Sequence, residues 1–151
     1  NNTIGPGNVI AYNDDEGVAV NGNNTTGNTI TQNSIFANDG MDMGINLTNN
    51  ANGGIAAPII VTTTLGSVNV VGTACAGCTV EVFGNNDADG EGKTYVGDTT
   101  ATASGAFTVT VSYLTQPYLT ATATDARGTS EFSAVFTSTA PIYLPIILKN
   151  H

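Results

Sequence analysis

The chain has 151 residues, with three basic side chains against twelve acidic ones and a formal net charge of −9. That balance excludes nucleic acid and anionic membrane as partners, because phosphate binding rests on Lys and Arg. Apolar residues make up 40% and alternate with Asn, Thr, Gly and Ser, which excludes disorder; no window carries a helical apolar period, and no run of about twenty apolar residues could span a bilayer as a helix.

Asn1 stands inside a patterned segment with neither Met nor a signal peptide before it, so an upstream part is expected. The first region, residues 1–48, repeats itself. Asn2-Thr3-Ile4 returns as Asn28-Thr29-Ile30, Asn8-Val9-Ile10 as Asn33-Ser34-Ile35, and Gly17-Val18-Ala19-Val20 as Gly44-Ile45-Asn46-Leu47. An offset of about 25–27 residues is that of one coil of a parallel β-solenoid. Each coil would place short strands with Ile or Val inward. Asn and Gly would take the corners, where left-handed backbone is needed, and Asn at equivalent positions could form amide ladders. Two coils cannot bury their own apolar stack, so further coils upstream or another chain are expected to complete it.

Residues 49–55, dense in Asn and Gly, read as a linker. Beyond it, residues 57–64, 67–73, 79–83, 94–100, 106–112, 118–125 and 130–137 alternate strictly and read as seven strands. Their spacing predicts a β-sandwich of immunoglobulin type over 56–138. Its inward set would be Val68, Val70, Val80, Val82, Phe107, Val109, Val111, Leu119, Ala121, Ala123, Phe132 and Phe136, with Thr, Glu and Ser outward.

Three resemblances accompany these patterns. The N-x-I-x-x-N pattern of residues 1–47 resembles the right-handed parallel β-helix repeats of secreted polysaccharide-processing and surface proteins. The segment from Gly72 to Phe83, with Ser104-Gly105-Ala106-Phe107 and Leu119-Thr120-Ala121-Thr122, resembles bacterial Ig-like domains. That resemblance implies a spacer or adhesion module. The tail Ile142-Tyr143-Leu144-Pro145-Ile146-Ile147-Leu148-Lys149 is similar to C-terminal tails of surface proteins in filamentous bacteria of the Chloroflexi type.

Candidate chemistry is sparse. Cys75 and Cys78 form a C-x-x-C, but no helix is available for a redox motif, and zinc would want two more ligands. A local disulfide in an oxidising compartment is the remaining reading. Asn85, Asp87, Asp89 and Gly90 follow the start of a calcium loop, with Glu91 beside them. Val96 stands where the twelfth-position Glu belongs. The loop therefore reads either as a solvated acidic hairpin or as a calcium site on Asp87, Asp89 and Glu91. Asp14, Asp15, Glu16, Asp39 and Asp42 lie on the coils, yet no Lys, Arg or His occurs in the first 92 residues. That removes the usual base and uronate clamp of a lyase. Only Tyr12 and Phe36 could serve there as sugar platforms. Asn1, Asn23, Asn24 and Asn46 begin N-x-[ST] sequons.

The apolar tail, 139–151, presents Ile142, Tyr143, Leu144, Ile146, Ile147 and Leu148. It reads as a last strand, a sorting tag, or a strand offered to a neighbouring subunit. The expectation is thus an all-β chain, a short parallel β-helix followed by an Ig-like sandwich. Its role would be that of a secreted, non-catalytic cell-surface protein, self-assembling into filaments through coil stacking and tail docking. The alternative is the C-terminal adhesion or glycan-binding portion of a larger secreted polysaccharide-processing protein. The partners would be itself, upstream coils or a polysaccharide, with no cofactor required and calcium the one alternative, at the acidic loop.

Overall fold

A computed structural model of the chain describes residues 1–39, 44–63, 66, 69–112 and 114–138. Val68, Asp42 and the whole assembly tail, including Ile142, Tyr143, Leu144, Ile146, Ile147 and Leu148, lie outside the described residues.

The structure is all-β. In the first region, β1 (Thr3–Ile4), β2 (Val9–Ala11) and β3 (Val18–Asn21) form one turn of chain. The next turn is β4 (Thr29–Ile30), β5 (Ser34–Phe36) and β6 (Ile45–Thr48). The two turns pair in parallel, Thr3 with Thr29, Val9 with Ser34 and Val18 with Ile45, so the sequence repeat is the structural register. They make three two-stranded sheets, and no closed solenoid is found among the described residues. Val18, Val20, Ile30, Ile35 and Ile45 fill the space between the sheets.

Left-handed backbone falls on Gly5, Gly7, Gly22, Gly27, Asn49, Asn50 and Asn52, as expected, and also on Tyr12, Gln32 and Ala37, at φ 60°, 48° and 55°, each just before an Asn that follows as a rung. Asn33 and Asn38 themselves are buried. Their amides are consumed by hydrogen bonds between turns, which leaves the corner conformation to the residue in front.

The segment 49–55 is no linker. Ala51–Gly54 is a tight turn with left-handed backbone at Asn52, Gly53 and Gly54, and Ala51 and Asn52 are both fully buried. The composition that suggests a loop is here a third, partial turn of the first region.

The remaining strands are β7 (Ile59–Thr62), β8 (Asn69–Thr73), β9 (Thr79–Asn85), β10 (Thr94–Thr100), β11 (Ala106–Thr110), β12 (Tyr118–Asp125), β13 (Gly128–Thr129) and β14 (Phe136–Thr137). One sheet runs β10-β9-β12-β13, with β14 also on β12; the other runs β11-β8-β7. Between them lies a core of Val70, Val80, Val82, Phe107, Val109, Val111, Leu119 and Ala121, joined by Ile60, Ala101 and Leu114. The expected inward set therefore holds for eight of its members. Phe136 packs at the rim of this core, and Ala123 packs with Ile55 and Cys78 in a smaller cluster. Phe132 departs altogether and joins the core of the N-terminal turns. The predicted strand 130–137 is correspondingly interrupted: Phe136–Thr137 pairs with β12, Ser130 N and Ser133 N donate singly to Ala123 O and Ala121 O, and Phe132 turns to the N-terminal core.

Residues expected to face outward are also buried. Glu81 on β9 and Thr120 and Thr122 on β12 are nearly inaccessible, because the outer face of their sheet is covered by the N-terminal turns. Leu119 is fully enclosed by the sandwich core. Leu119→Ala is expected to cost about 2–5 kcal/mol in urea unfolding, from lost transfer energy plus a residual cavity.

Candidate functional site: the seam between the paired turns and the sandwich

The unit of the N-terminal region is an asparagine rung. The side-chain Oδ1 of one Asn accepts both the backbone N–H and the Nδ2–H of the Asn one turn above. Asn33 does this for Asn8 at 3.2 and 3.0 Å, and Asn38 for Asn13 at 3.3 and 2.7 Å. Asn52 repeats the geometry for Asn28, at 3.2 Å to both donors. The free amide protons turn back to carbonyls: Asn33 Nδ2 donates to Ile4 O at 2.9 Å and Asn38 Nδ2 to Ile10 O at 3.2 Å. Each rung thus ties side chain and main chain of one turn to the turn above it.

The sandwich continues this lattice below the second turn. β13 stands where a third strand would stand: Thr129 N donates to Asn28 O at 3.0 Å, as Thr29 N donates to Asn2 O at 2.8 Å. The Thr129 hydroxyl bridges Ile30 N at 2.8 Å and Ile30 O at 3.2 Å. Ile35 and Gly92 exchange a pair of 2.9 Å backbone bonds. Three glutamates complete the edge. Glu81 accepts from Gln32 N at 3.0 Å and from the Thr31 hydroxyl. Glu91 accepts from Asn38 N at 3.2 Å and Asn38 Nδ2 at 2.7 Å, the two donors that a next Asn would have taken. Glu131 accepts from Leu47 N at 2.8 Å. An exposed row of strand amides is an aggregation hazard, and here each of these donors has a partner.

Phe132 pins the seam. It packs against the core of the paired turns and meets Phe83 of the sandwich edge-on at 5.4 Å. It fits only because Gly44 and Gly92 carry no side chain: a Cβ would lie 2.6 Å from its ring at Gly44 and 2.5 Å at Gly92. Phe132→Ala is expected to cost about 3–5 kcal/mol and to lower the unfolding midpoint of the N-terminal turns together with that of the sandwich.

Glu91 is fully buried. Desolvation raises its pKa above the ordinary glutamate value, against the lowering effect of the Asn38 hydrogen bonds. The folded state therefore holds the Glu91 proton more tightly than the unfolded state, and stability contributed at acid pH is lost as pH rises through the raised value. Relative to Glu91→Gln, which cannot titrate, the native chain should lose stability in urea titrations as pH rises above the ordinary glutamate range. Glu91→Ala leaves both Asn38 donors without their acceptor and should cost about 2–4 kcal/mol at neutral pH.

The other expected site residues are placed as follows. Cys75 and Cys78 are joined as a disulfide, Cα–Cα 5.5 Å, at the turn before β9. Asp125, which sequence reading passed over, brings its Oδ2 within 4.0 Å of Cys78 Sγ, so three ligand-type residues cluster. The disulfide occupies both sulfurs, and Arg127 pairs with Asp125 at 2.7 Å, holding its carboxyl below the ordinary value. Asp87 is exposed and Asp89 half-buried, and Asp89 Oδ1 accepts from Glu91 N at 3.3 Å. The Glu91 carboxylate faces the seam rather than these two, so Asp87, Asp89 and Glu91 do not converge as a calcium site would require.

On the turns, Asp14 and Asp39 are exposed. Asp15 and Glu16 are neighbours in one exposed turn. Asn46 Nδ2 donates to Glu16 at 2.5 Å and lowers its pKa; that bond also engages the amide of the Asn46 sequon. Tyr12 and Phe36 meet edge-on at 5.6 Å, with Lys93 Nζ 4.4 Å from the Phe36 ring centre. No helix among the described residues is long and apolar enough to cross a membrane. No protein-family model matches the chain, and no curated protein matches it in sequence.

Proposed function

We propose that this chain is a non-catalytic, extracellular structural module in which an Ig-like β-sandwich closes the C-terminal end of a parallel β-helix. The observation that carries the reading is the seam: β13, Gly92 and the carboxylates of Glu81, Glu91 and Glu131 take up backbone donors of the second turn, where a further coil would otherwise stack. The strand order supports the Ig-like part, since β7-β8-β11 faces β10-β9-β12-β14 as A-B-E faces C′-C-F-G in such sandwiches. The disulfide supports an oxidising, extracytoplasmic setting. The scatter of the coil carboxylates on exposed turns supports a structural rather than hydrolytic role.

Filament growth by head-to-tail coil stacking, one of the readings expected from the sequence, would require the lower edge of the second turn. The chain's own sandwich covers that edge. The module is better suited to end a coil stack within a larger surface or polysaccharide-processing protein.

Hydrogen exchange tests the capping reading. The amides of Gln32, Asn38 and Leu47 should exchange as slowly as those of β12. In a Glu81→Ala/Glu91→Ala/Glu131→Ala variant they should exchange fast, with the N-terminal turns losing protection ahead of the sandwich. Equal protection in both proteins would remove the glutamates from the cap.

A further inference from the structure

Capping one edge leaves the other. The first turn presents Asn2, Asn8 and Asn13, all exposed, at the positions that Asn28, Asn33 and Asn38 occupy one turn below. Each donates its Nδ2–H downward, at 2.8, 3.0 and 2.7 Å. Among the described residues no donor reaches the Oδ1 of Asn2, Asn8 or Asn13. In the turn below, the same oxygen accepts a backbone N–H and an amide N–H at Asn33 and Asn38, and an amide N–H at Asn28. The Asn-to-Asn bond has a direction: the upper Asn donates toward the sandwich, and the Oδ1 of the lower Asn accepts. Beside the open acceptors lies a cleft lined by Asn2, Ile4, Val18, Val20, Asn21 and Asn28, and Val9 on the adjoining strand is largely exposed.

We infer that this upper edge is a docking surface for one further parallel coil, contributed by polypeptide preceding Asn1, with Asn at three positions aligned on Asn2, Asn8 and Asn13. This rests on the reading of the sandwich as a C-terminal cap. The incoming coil donates main-chain and side-chain N–H groups to the three Oδ1 atoms, and its apolar residues cover Ile4, Val18 and Val20. A second copy of this chain does not fit. Its lower edge is occupied by its own sandwich, and two upper edges could meet only with their strands antiparallel, which gives up the parallel Asn-on-Asn register that joins the two turns. The covered lower edge and the parallel register together select a coil that arrives from the N-terminal direction and reject self-stacking.

The test is a chain with residues 2–27 duplicated in tandem ahead of Asn2, compared with the original chain by residue-resolved hydrogen exchange and sedimentation. In the duplicated chain the amides of β1, β2 and β3 should slow by at least about tenfold, toward the rates of β4, β5 and β6. Asn→Ala changes at the three rung positions of the added copy should abolish most of that gain while leaving the amides of β12 unchanged. The original chain should sediment as a monomer at high concentration. If the added copy exchanges like unfolded chain and β1–β3 are unchanged, while Gln32, Asn38 and Leu47 remain protected, the docking inference is wrong and the cap stands. If those three amides are unprotected in the original chain, the cap itself fails. Reversible dimers or polymers of the original chain that protect β1–β3 would overturn the rejection of self-stacking.

Discussion

A side-chain oxygen that receives two N–H groups from the turn above is the interaction on which the rest of this structure depends. Strands of two to four residues cannot hold a parallel register by backbone bonds alone. A net hydrogen bond contributes only about 0.5–1.5 kcal/mol, while a buried donor left unmet costs about 1–3 kcal/mol. The Asn rungs work through that asymmetry. Once Asn33, Asn38 and Asn52 are buried, any slip in register strands several polar groups at once, so the register is fixed more by what a slip would cost than by what each bond adds.

The same logic explains the join to the sandwich. A stack of parallel turns ends in a row of donors that need acceptors. The sandwich supplies a real strand at one side, β13 on β4, and carboxylates where strand geometry cannot follow. A glutamate reaches farther than a carbonyl and accepts two bonds at once, as Glu91 does for Asn38. Burying that carboxylate raises its pKa, so the cap carries an electrostatic penalty at neutral pH that a neutral rung would avoid.

Much of this was legible in the sequence, and the misses have physical causes. The repeat of Asn2-Thr3-Ile4 and its companions gave the register directly, because equal residues at equal offsets meet in a parallel stack. Alternation located the sandwich strands, since Val80, Val82, Val109 and Leu119 face one core. Residues 49–55 looked like a linker because Asn and Gly serve both loops and rungs; the spacing of Asn28 to Asn52, close to one period, was the available signal. Phe132 sat in an alternating run, yet its burial depends on Gly44 and Gly92, far away in sequence. Glu81 and Glu131 fell on outward positions and Glu91 in an acidic loop. Their role comes from a packing partner that strand periodicity does not encode.

The central claim is that glutamate carboxylates of the sandwich accept main-chain hydrogen bonds from the second turn. The most direct test is the detection of scalar couplings across those bonds by NMR, from the amide nitrogens of Gln32, Asn38 and Leu47 to the carboxyl carbons of Glu81, Glu91 and Glu131. Three cross-peaks between those pairs are expected in the native protein at neutral pH. Their absence, with the three amides exchanging as freely as surface loops, would contradict the claim and leave the paired turns and the sandwich as neighbours without a shared edge.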